Sequence, residues 1–434
     1  MPTPPVTQDR VDIAAGVGNY RWRICALLFF ATTFNYVDRQ VLGVLAPELQ
    51  RVIGWDEIQY SNIINAFQAA YALGLLFAGR LIDRVGTRAG YALSIGLWSV
   101  ATVSHALVNN VLGFGIVRFL LGFGEAGNFP AAIKTVAEWF PQRERALATG
   151  IFNAGTNIGA TIAPLIVPWL TVRFGWQSAF LAMGIASAVW IIPWIAIYRS
   201  PGVHPRLSRG EAAYIHSDPA EPETPVPWSQ LLAHRQTWAF LLGKFMTDPI
   251  WWFFMFWLPK FLSKEHGLSL MELGWPLVII YNIATIGSVM GGWLAARFLK
   301  KGWTMNRARK TAMLICALGV VPAIFTARVR SVWEVVVLVG LATAAHQGWS
   351  ANLFTLASDM FPKRAVASVV GIGGFGGAIG GMVIATVTGF VLQFTGSYVP
   401  MFVMAGAAYL IALLMIQLIV PHLEPVNLTA LKKR

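Results

Sequence analysis

The chain has 434 residues, of which 56% are hydrophobic and 12% charged, and a formal net charge of +13. Soluble domains carry about 25% charged residues, so a mean hydropathy of +0.59 beside 41 Gly and 18 Trp excludes a soluble enzyme, a disordered chain and a secreted disulfide scaffold. A polytopic membrane protein remains, and its positive balance needs no nucleic acid, because Lys and Arg gather in cytoplasmic loops.

Residues 1–20 are polar and Pro-bearing, and Arg21-Trp22-Arg23 lead directly into a long apolar stretch. That pattern predicts a retained first span and no cleaved signal peptide. A bilayer core of about 30 Å needs about 20 apolar residues per helix. On this measure twelve spans follow, at 22–46, 58–79, 89–107, 111–138, 146–170, 177–198, 236–263, 271–299, 310–327, 332–361, 365–394 and 399–421. The gap 199–235, with Ser200-Pro201-Gly202 and Glu221-Pro222-Glu223-Thr224-Pro225, separates a six-span unit at 1–198 from another at 236–434. Cys25 and Cys316 sit in apolar stretches and read as small core residues.

Lys and Arg fix the orientation. With basic residues near span ends counted in the adjoining tail or loop, the two tails and the loops after even-numbered spans hold 23 of them, and the loops after odd-numbered spans hold 6. This bias predicts that both termini and the central loop are cytoplasmic. An internal repeat supports the division. Glu138-Trp139-Phe140-Pro141-Gln142-Arg143 echoes Asp359-Met360-Phe361-Pro362-Lys363-Arg364 at an offset of 221, which also aligns Gly155 with Gly376 and Gly159 with Gly380. Earlier in each half, Gly54, Gly74 and Gly79 align with Gly267, Gly287 and Gly292 at an offset of 213. Two halves in the same orientation are the parallel repeat of a transporter that binds substrate between them near the midplane. The Gly-rich run 371–381 reads as a close helix contact, not a phosphate loop.

Ionisable groups at membrane depth cost about 2.5–3.5 kcal/mol each on insertion scales, so they persist when paired or lining a cavity. The first half holds Asp38 and Arg39 in span one and Arg118 and Glu125 in span four. Arg118 and Glu125 share a helix face about 10.5 Å apart, too far for a direct pair, while Asp38 and Arg39 diverge by about 100°. An anion bound to an arginine cancels the field that keeps a nearby carboxylate ionised, so anion and proton favour each other's binding. The guanidinium fork suits a carboxylate substrate. The competing reading is a salt-bridge network that only locks helices.

Gly79-Arg80-Leu81-Ile82-Asp83-Arg84-Val85-Gly86-Thr87-Arg88, after span two, resembles the signature of the major facilitator superfamily. A degenerate copy follows span eight, with Gly292 kept and Ala296 in place of the acid. Asn35-Tyr36-Val37-Asp38-Arg39, Gly122-Phe123-Gly124-Glu125-Ala126-Gly127-Asn128-Phe129-Pro130 and Glu138-Trp139-Phe140-Pro141 are similar to the anion:cation symporters within it. Asp248-Pro249-Ile250-Trp251-Trp252 and Ala345-His346-Gln347 look most like bacterial hexuronate transporters. The resemblance implies an all-α major facilitator fold of twelve transmembrane helices in the bacterial inner membrane. It also implies Asp38 and Glu125 as proton carriers and Arg39 and Arg118 as partners of the substrate anion or of coupling. Asp83, Arg84 and Arg88 are expected to gate the cytoplasmic side.

Polar companions complete the expectation. Tyr36 and Tyr71 are assigned to substrate, since a buried phenol seeks a partner that sugar hydroxyls supply. Gln68 shares a face with Tyr71, and Asn153 shares one with Asn157; each serves packing or binding. The second half lacks acids equivalent to Asp38 and Glu125, so its Trp252, Tyr281, Asn282, His346, Gln347, Ser350 and Asn352 are candidates to grip a polyol. Lys244 and Asp248, four residues apart, either bind or neutralise each other. The predicted function is proton-coupled import of a sugar-acid monoanion, hexuronate first. No cofactor or metal is expected beyond protons as coupling ion, and the partners are the organic anion and the lipid bilayer around a monomer. Transport of an aldonate, aromatic acid or phosphorylated solute is the alternative. An intramembrane enzyme is disfavoured because neither His-x-x-x-His nor G-x-S-x-G occurs. A non-transporting sensor is disfavoured because the linker and tails are short for an added soluble domain.

Overall fold

The computed structural model describes residues 18–217 and 226–426. Linker residues 221–225 and the basic Arg10, Lys432, Lys433 and Arg434 lie outside the described residues, as do the side chains of Gln142, Arg143, Lys363 and Arg364 in the repeated motif. Among the described residues there is no strand. The helices are α1 (Tyr20–Ile53), α2 (Glu57–Val85), α3 (Thr87–Ser104), α4 (Val111–Glu125), α5 (Asn128–Trp139), α6 (Gln142–Phe174), α7 (Trp176–Ile197), α8 (Arg209–Ile215), α9 (Trp228–Leu232), α10 (Arg235–His266), α11 (Gly274–Lys300), α12 (Met305–Val320), α13 (Val332–Met360), α14 (Lys363–Thr395) and α15 (Val399–Ile419).

Local chemistry sets the boundaries. Asp56 and Gln59 form a capping box that starts α2, and Gly54 ends α1 in the left-handed region at φ 79°. Seven helical stretches are long and apolar enough to cross a membrane by length and composition: α2, α6, α7, α11, α12 with its 3-10 extension to Arg328, α14 and α15. Helices α1 and α10 are not among them, and they carry Asp38, Arg39, Lys244, Asp248 and Lys260 in their interiors. The charges that matter are what lower their hydropathy.

The predicted segment 111–138 differs from expectation. It is two helices, broken at Ala126 and Gly127 directly after Glu125. Gly122, Gly124 and Gly127 weaken the helix there at about 1 kcal/mol each relative to Ala. They also admit neighbouring chains, since a Cβ at Gly122 would strike Phe67 O and one at Gly124 would lie 2.8 Å from Trp98 N.

The internal repeat is a repeat of packing. Gly159 of α6 lies against Thr33 O of α1, and its counterpart Gly380 of α14 lies against Phe245 O of α10. Gly74 of α2 meets Phe123 O of α4, and Gly287 of α11 meets Ala344 O of α13, four positions related by the same two offsets. Helices from opposite halves of the chain meet along α2 with α14, α1 with α10 and α6 with α11.

These meetings gather at one end. Glu57 Oε2 accepts from Lys260 Nζ at 2.6 Å, Tyr60 OH donates to Phe256 O at 2.9 Å, and Asn65 Nδ2 donates to Thr386 Oγ1 at 2.8 Å. One buried apolar cluster there unites Leu45, Tyr60 and Phe114 with Phe253, Trp257 and Phe402. At the other end the first half keeps its own cluster around Ile24, Tyr91, Trp139 and Trp194. Among the described residues, the side-chain bonds between the halves lie where α1 turns into α2, and the opposite end is divided.

Candidate substrate and proton site

Four charged side chains lie in the closed centre of the first half, each at most 2% exposed: Asp38, Arg39, Arg118 and Glu125. Arg39 comes from mid-α1, Arg118 from α4 and Glu125 from the last residue of α4, where the helix break leaves it facing α1. Glu125 Oε2 accepts from Arg39 Nε at 2.8 Å and lies 2.7 Å from Nη2. Glu125 Oε1 has no protein partner. Arg39 Nη2 also reaches Asn35 Oδ1 at 3.4 Å, one turn back on α1.

The guanidinium of Arg39 stands in an aromatic cage. Its carbon lies 4.8–5.3 Å from the ring centres of Tyr36, Phe67, Tyr71 and Trp252. Three of these rings belong to the first half and Trp252 to the second, so the cage spans both. Rings around a desolvated cation contribute about 2 kcal/mol or more, without occupying its N–H groups.

Arg118 is less satisfied. Its Nη2 lies 3.5 Å from Arg39 O, and its Nε and Nη1 have no protein partner. A buried guanidinium with two free donors is a strong site for an anion. Asp38 Oδ2 accepts from Ser187 Oγ at 2.7 Å, and its Oδ1 has no protein partner. Gln68, fully buried, has neither amide atom bonded, and its Nε2 faces Gly381 beside Trp252. These free atoms come from α1, α2 and α4. Two surface cavities of about 260 and 230 Å³, lined by residues such as Glu265 and Tyr398 or Pro47 and Leu270, lie apart from these charges.

In the second half, the His346 ring stacks on Trp251 at 5.3 Å, and its Nδ1 lies 2.6 Å from Tyr409 OH, which also contacts Thr247 O at 3.3 Å. Tyr281 is buried beside Trp251, and its side chain faces Gln40 of α1. Gln347 and Ser350 are half-buried on α13. Lys244 and Asp248 neutralise each other at 2.7 Å, the bland one of the two readings. Two candidates are placed elsewhere. Asn352 donates to Gly291 O and Gly348 O, both at 2.9 Å, and so pins α13 to α11. Asn282 is exposed on the face of α11 with Ile286 and Val289 and donates to Val278 O. Polarity alone nominated both; a helix crossing occupies the Asn352 amide nitrogen, and Asn282 bonds only within its own helix.

Asn153 is exposed and Asn157 half-buried on α6. At the divided end, Asp83 pairs with Lys134 of α5 at 2.6 Å, Arg88 donates to Ile195 O, and Arg84 is exposed. The signature loop is bonded within its own half. Sequence reasoning missed Phe67, Ser187 and Tyr409 and gave Asn35 no role. Asn35 was findable as the i−4 neighbour of Arg39; a lone Ser in the apolar α7 gives no signal.

Buried acids and arginines in one of two repeated helical halves, caged in part by the other, define a membrane transporter. The sequence model of the Major Facilitator Superfamily matches residues 28–354, and the chain belongs to that superfamily. It is a multi-pass protein of the bacterial inner membrane and not an enzyme. It is 31% identical to the hexuronate transporter of Escherichia coli (strain K12), over 91% of this chain and 93% of that one. It is also 31% identical to a probable galactarate/D-glucarate transporter of Bacillus subtilis (strain 168), over 95% and 94%. A crystal structure of a bacterial homolog to the human lysosomal transporter Spinster, inward-facing and occupied, superposes with a TM-score of 0.71 over 93% of this chain and 96% of that chain at 18% identity.

Proposed function

We propose that the chain is a proton-coupled symporter importing a sugar-acid monoanion, hexuronate first, by alternating access. Twelve spans form two six-helix bundles, 1–198 and 236–434, joined by the linker 199–235, with both termini cytoplasmic. With that orientation the closed end is extracytoplasmic and the divided end faces the cytoplasm. The observation that carries the reading is the state of the two arginines. Arg39 is held by one oxygen of Glu125, and Arg118 keeps two donors free.

A proton on Glu125 removes the charge that holds Arg39, and the fork then takes the substrate carboxylate in its place. Arg118 supplies further donors, the cage rings pack on the sugar, and Asp38 offers a second proton site. His346, Tyr281 and Gln68 meet the hydroxyls. The relatives named for hexuronate and for galactarate/D-glucarate support a sugar acid as the class. A monoanion is favoured over a dianion because Lys244, the second-half cation that the sequence offered for the site, is neutralised by Asp248 and is not free for a second carboxylate.

Reconstituted liposomes test the reading. Labelled galacturonate or glucuronate should accumulate under an inward proton gradient, and galactonate and glucarate should compete more weakly. Equally fast uptake without the gradient would overturn proton coupling. Preference for glucarate would overturn the monoanion assignment.

A further inference from the structure

The second copy of the signature loop lacks its acid, and the structure shows a consequence. In the first half Asp83 neutralises Lys134 at 2.6 Å. The position equivalent to Asp83 is the exposed Ala296, and no Asp or Glu occurs between Glu272 and Glu334. Over that stretch the end of α11 and the start of α12 carry Arg297, Lys300, Lys301, Arg307, Arg309 and Lys310. Arg309 pairs with Asp359 at 2.9 Å, and Lys310 donates to Gln417 and to the carbonyls of Val420 and Pro421 at 2.7 Å. The other four are exposed and have no carboxylate partner among the described residues.

Two of the four are pre-arranged. The Arg297 guanidinium lies 5.1 Å over the exposed Trp293 ring, and that of Arg307 lies 4.1 Å over Trp303, which stacks on Phe298 at 4.6 Å. A guanidinium laid on a ring keeps its N–H edges free for two oxygens of a phosphate. Exposed Trp sits at headgroup level in a bilayer. Above it, Val289 and Met290 continue the exposed apolar face of α11 along the path an acyl chain would take.

We infer that the α11–α12 hairpin is a binding site for the phosphate headgroup of an acidic phospholipid. A soluble phosphate would use the cations but not the apolar face beside them. The site anchors the second half to the leaflet; the corresponding loop of the first half keeps an acid, Asp83, paired with Lys134.

Native mass spectrometry of the full chain tests this, with phosphatidylglycerol and phosphatidylcholine of matched acyl chains. The protein should retain phosphatidylglycerol selectively. Neutralising Arg297→Gln, Lys300→Gln and Lys301→Gln should lower retention about five-fold per cation, the worth of one basic residue at an anionic surface. Ala296→Asp restores the missing acid at an exposed position and should weaken retention with all four cations in place; it decides the matter if the neutralised variant folds poorly. Equal retention of the two lipids, wild-type retention in Ala296→Asp, or displacement of the lipid by millimolar inorganic phosphate would each overturn the assignment.

Discussion

Glu125 holds Arg39 through a single oxygen: Oε2 meets both Nε and Nη2 within 2.8 Å, while Oε1 has no protein partner. A structural pair would be expected to use both oxygens of the carboxylate against both edges of the fork. One-oxygen pairing leaves the contact exchangeable. In Glu125→Gln the carboxamide cannot carry the negative charge, so Arg39 stays available to substrate but uptake loses its link to protons. Gradient-driven accumulation should fall to background, while substrate exchange across liposomes equilibrated at one pH persists. Loss of exchange together with accumulation would make Glu125 a structural or substrate residue.

Arg39→Lys separates charge from shape. A lysine keeps a cation near Glu125 but loses the planar fork, and its ammonium cannot face four rings as a flat guanidinium does. Charge-assisted hydrogen bonds contribute about 1.5–3 kcal/mol, so the KM for exchange should rise about ten- to hundred-fold. Trp252→Leu removes one ring of the cage and should raise KM by less, while leaving exchange measurable. An unchanged KM in Arg39→Lys would remove Arg39 from the substrate site.

Much of this was legible in the sequence because charge in an apolar helix cannot be hidden. Asp38, Arg39, Arg118 and Glu125 stood out for their cost, and the structure gathers all four in one buried centre. The pairing was not legible. Arg118 and Glu125 share a face of α4, yet the partner of Glu125 is Arg39, 86 positions away, and the helix break that aims it depends on glycines whose neighbours lie on α2 and α3. Rings such as Phe67 are invisible in advance, since an aromatic in a span reads equally as lipid-facing. The helix crossing that occupies the Asn352 amide nitrogen is likewise announced by no local pattern.

The repeated glycines give a stability test with an internal control. A Cβ on Gly287 would collide with Ala344 O, a backbone atom that cannot swing aside, whereas one on Gly292, a turn further along α11, meets nothing within 4 Å. Overpacking costs about 1–3 kcal/mol. Gly287→Val should therefore lower the thermal unfolding temperature in detergent by several degrees, and Gly292→Val should not. Equal effects would mean that helix propensity, not the α11–α13 crossing, sets the response.

The Glu57–Lys260 pair joins the halves at the closed end, with side chains 12% and 4% exposed and the ammonium 4.6 Å from the Tyr60 ring centre. The two partners are not equivalent. Glu57 sits in the first turn of α2, where the helix dipole favours a negative charge on its own. Lys260 is buried in α10 and depends on its partner, and an unpaired buried charge costs about 3–5 kcal/mol. Glu57→Gln should therefore open this end more than Lys260→Gln does, and exchanging the two residues should restore closure in part. Ser61, 1% exposed and packed against Gly389, reports the event. In a Ser61→Cys background with Cys25 and Cys316 replaced, an impermeant maleimide should label Glu57→Gln at least about ten-fold faster than the parent, the factor that each 1.4 kcal/mol of lost closure supplies. Lys260→Gln should fall between them. Equal labelling in all three would show that the apolar cluster around Trp257 and Phe253, not the ion pair, holds the end shut.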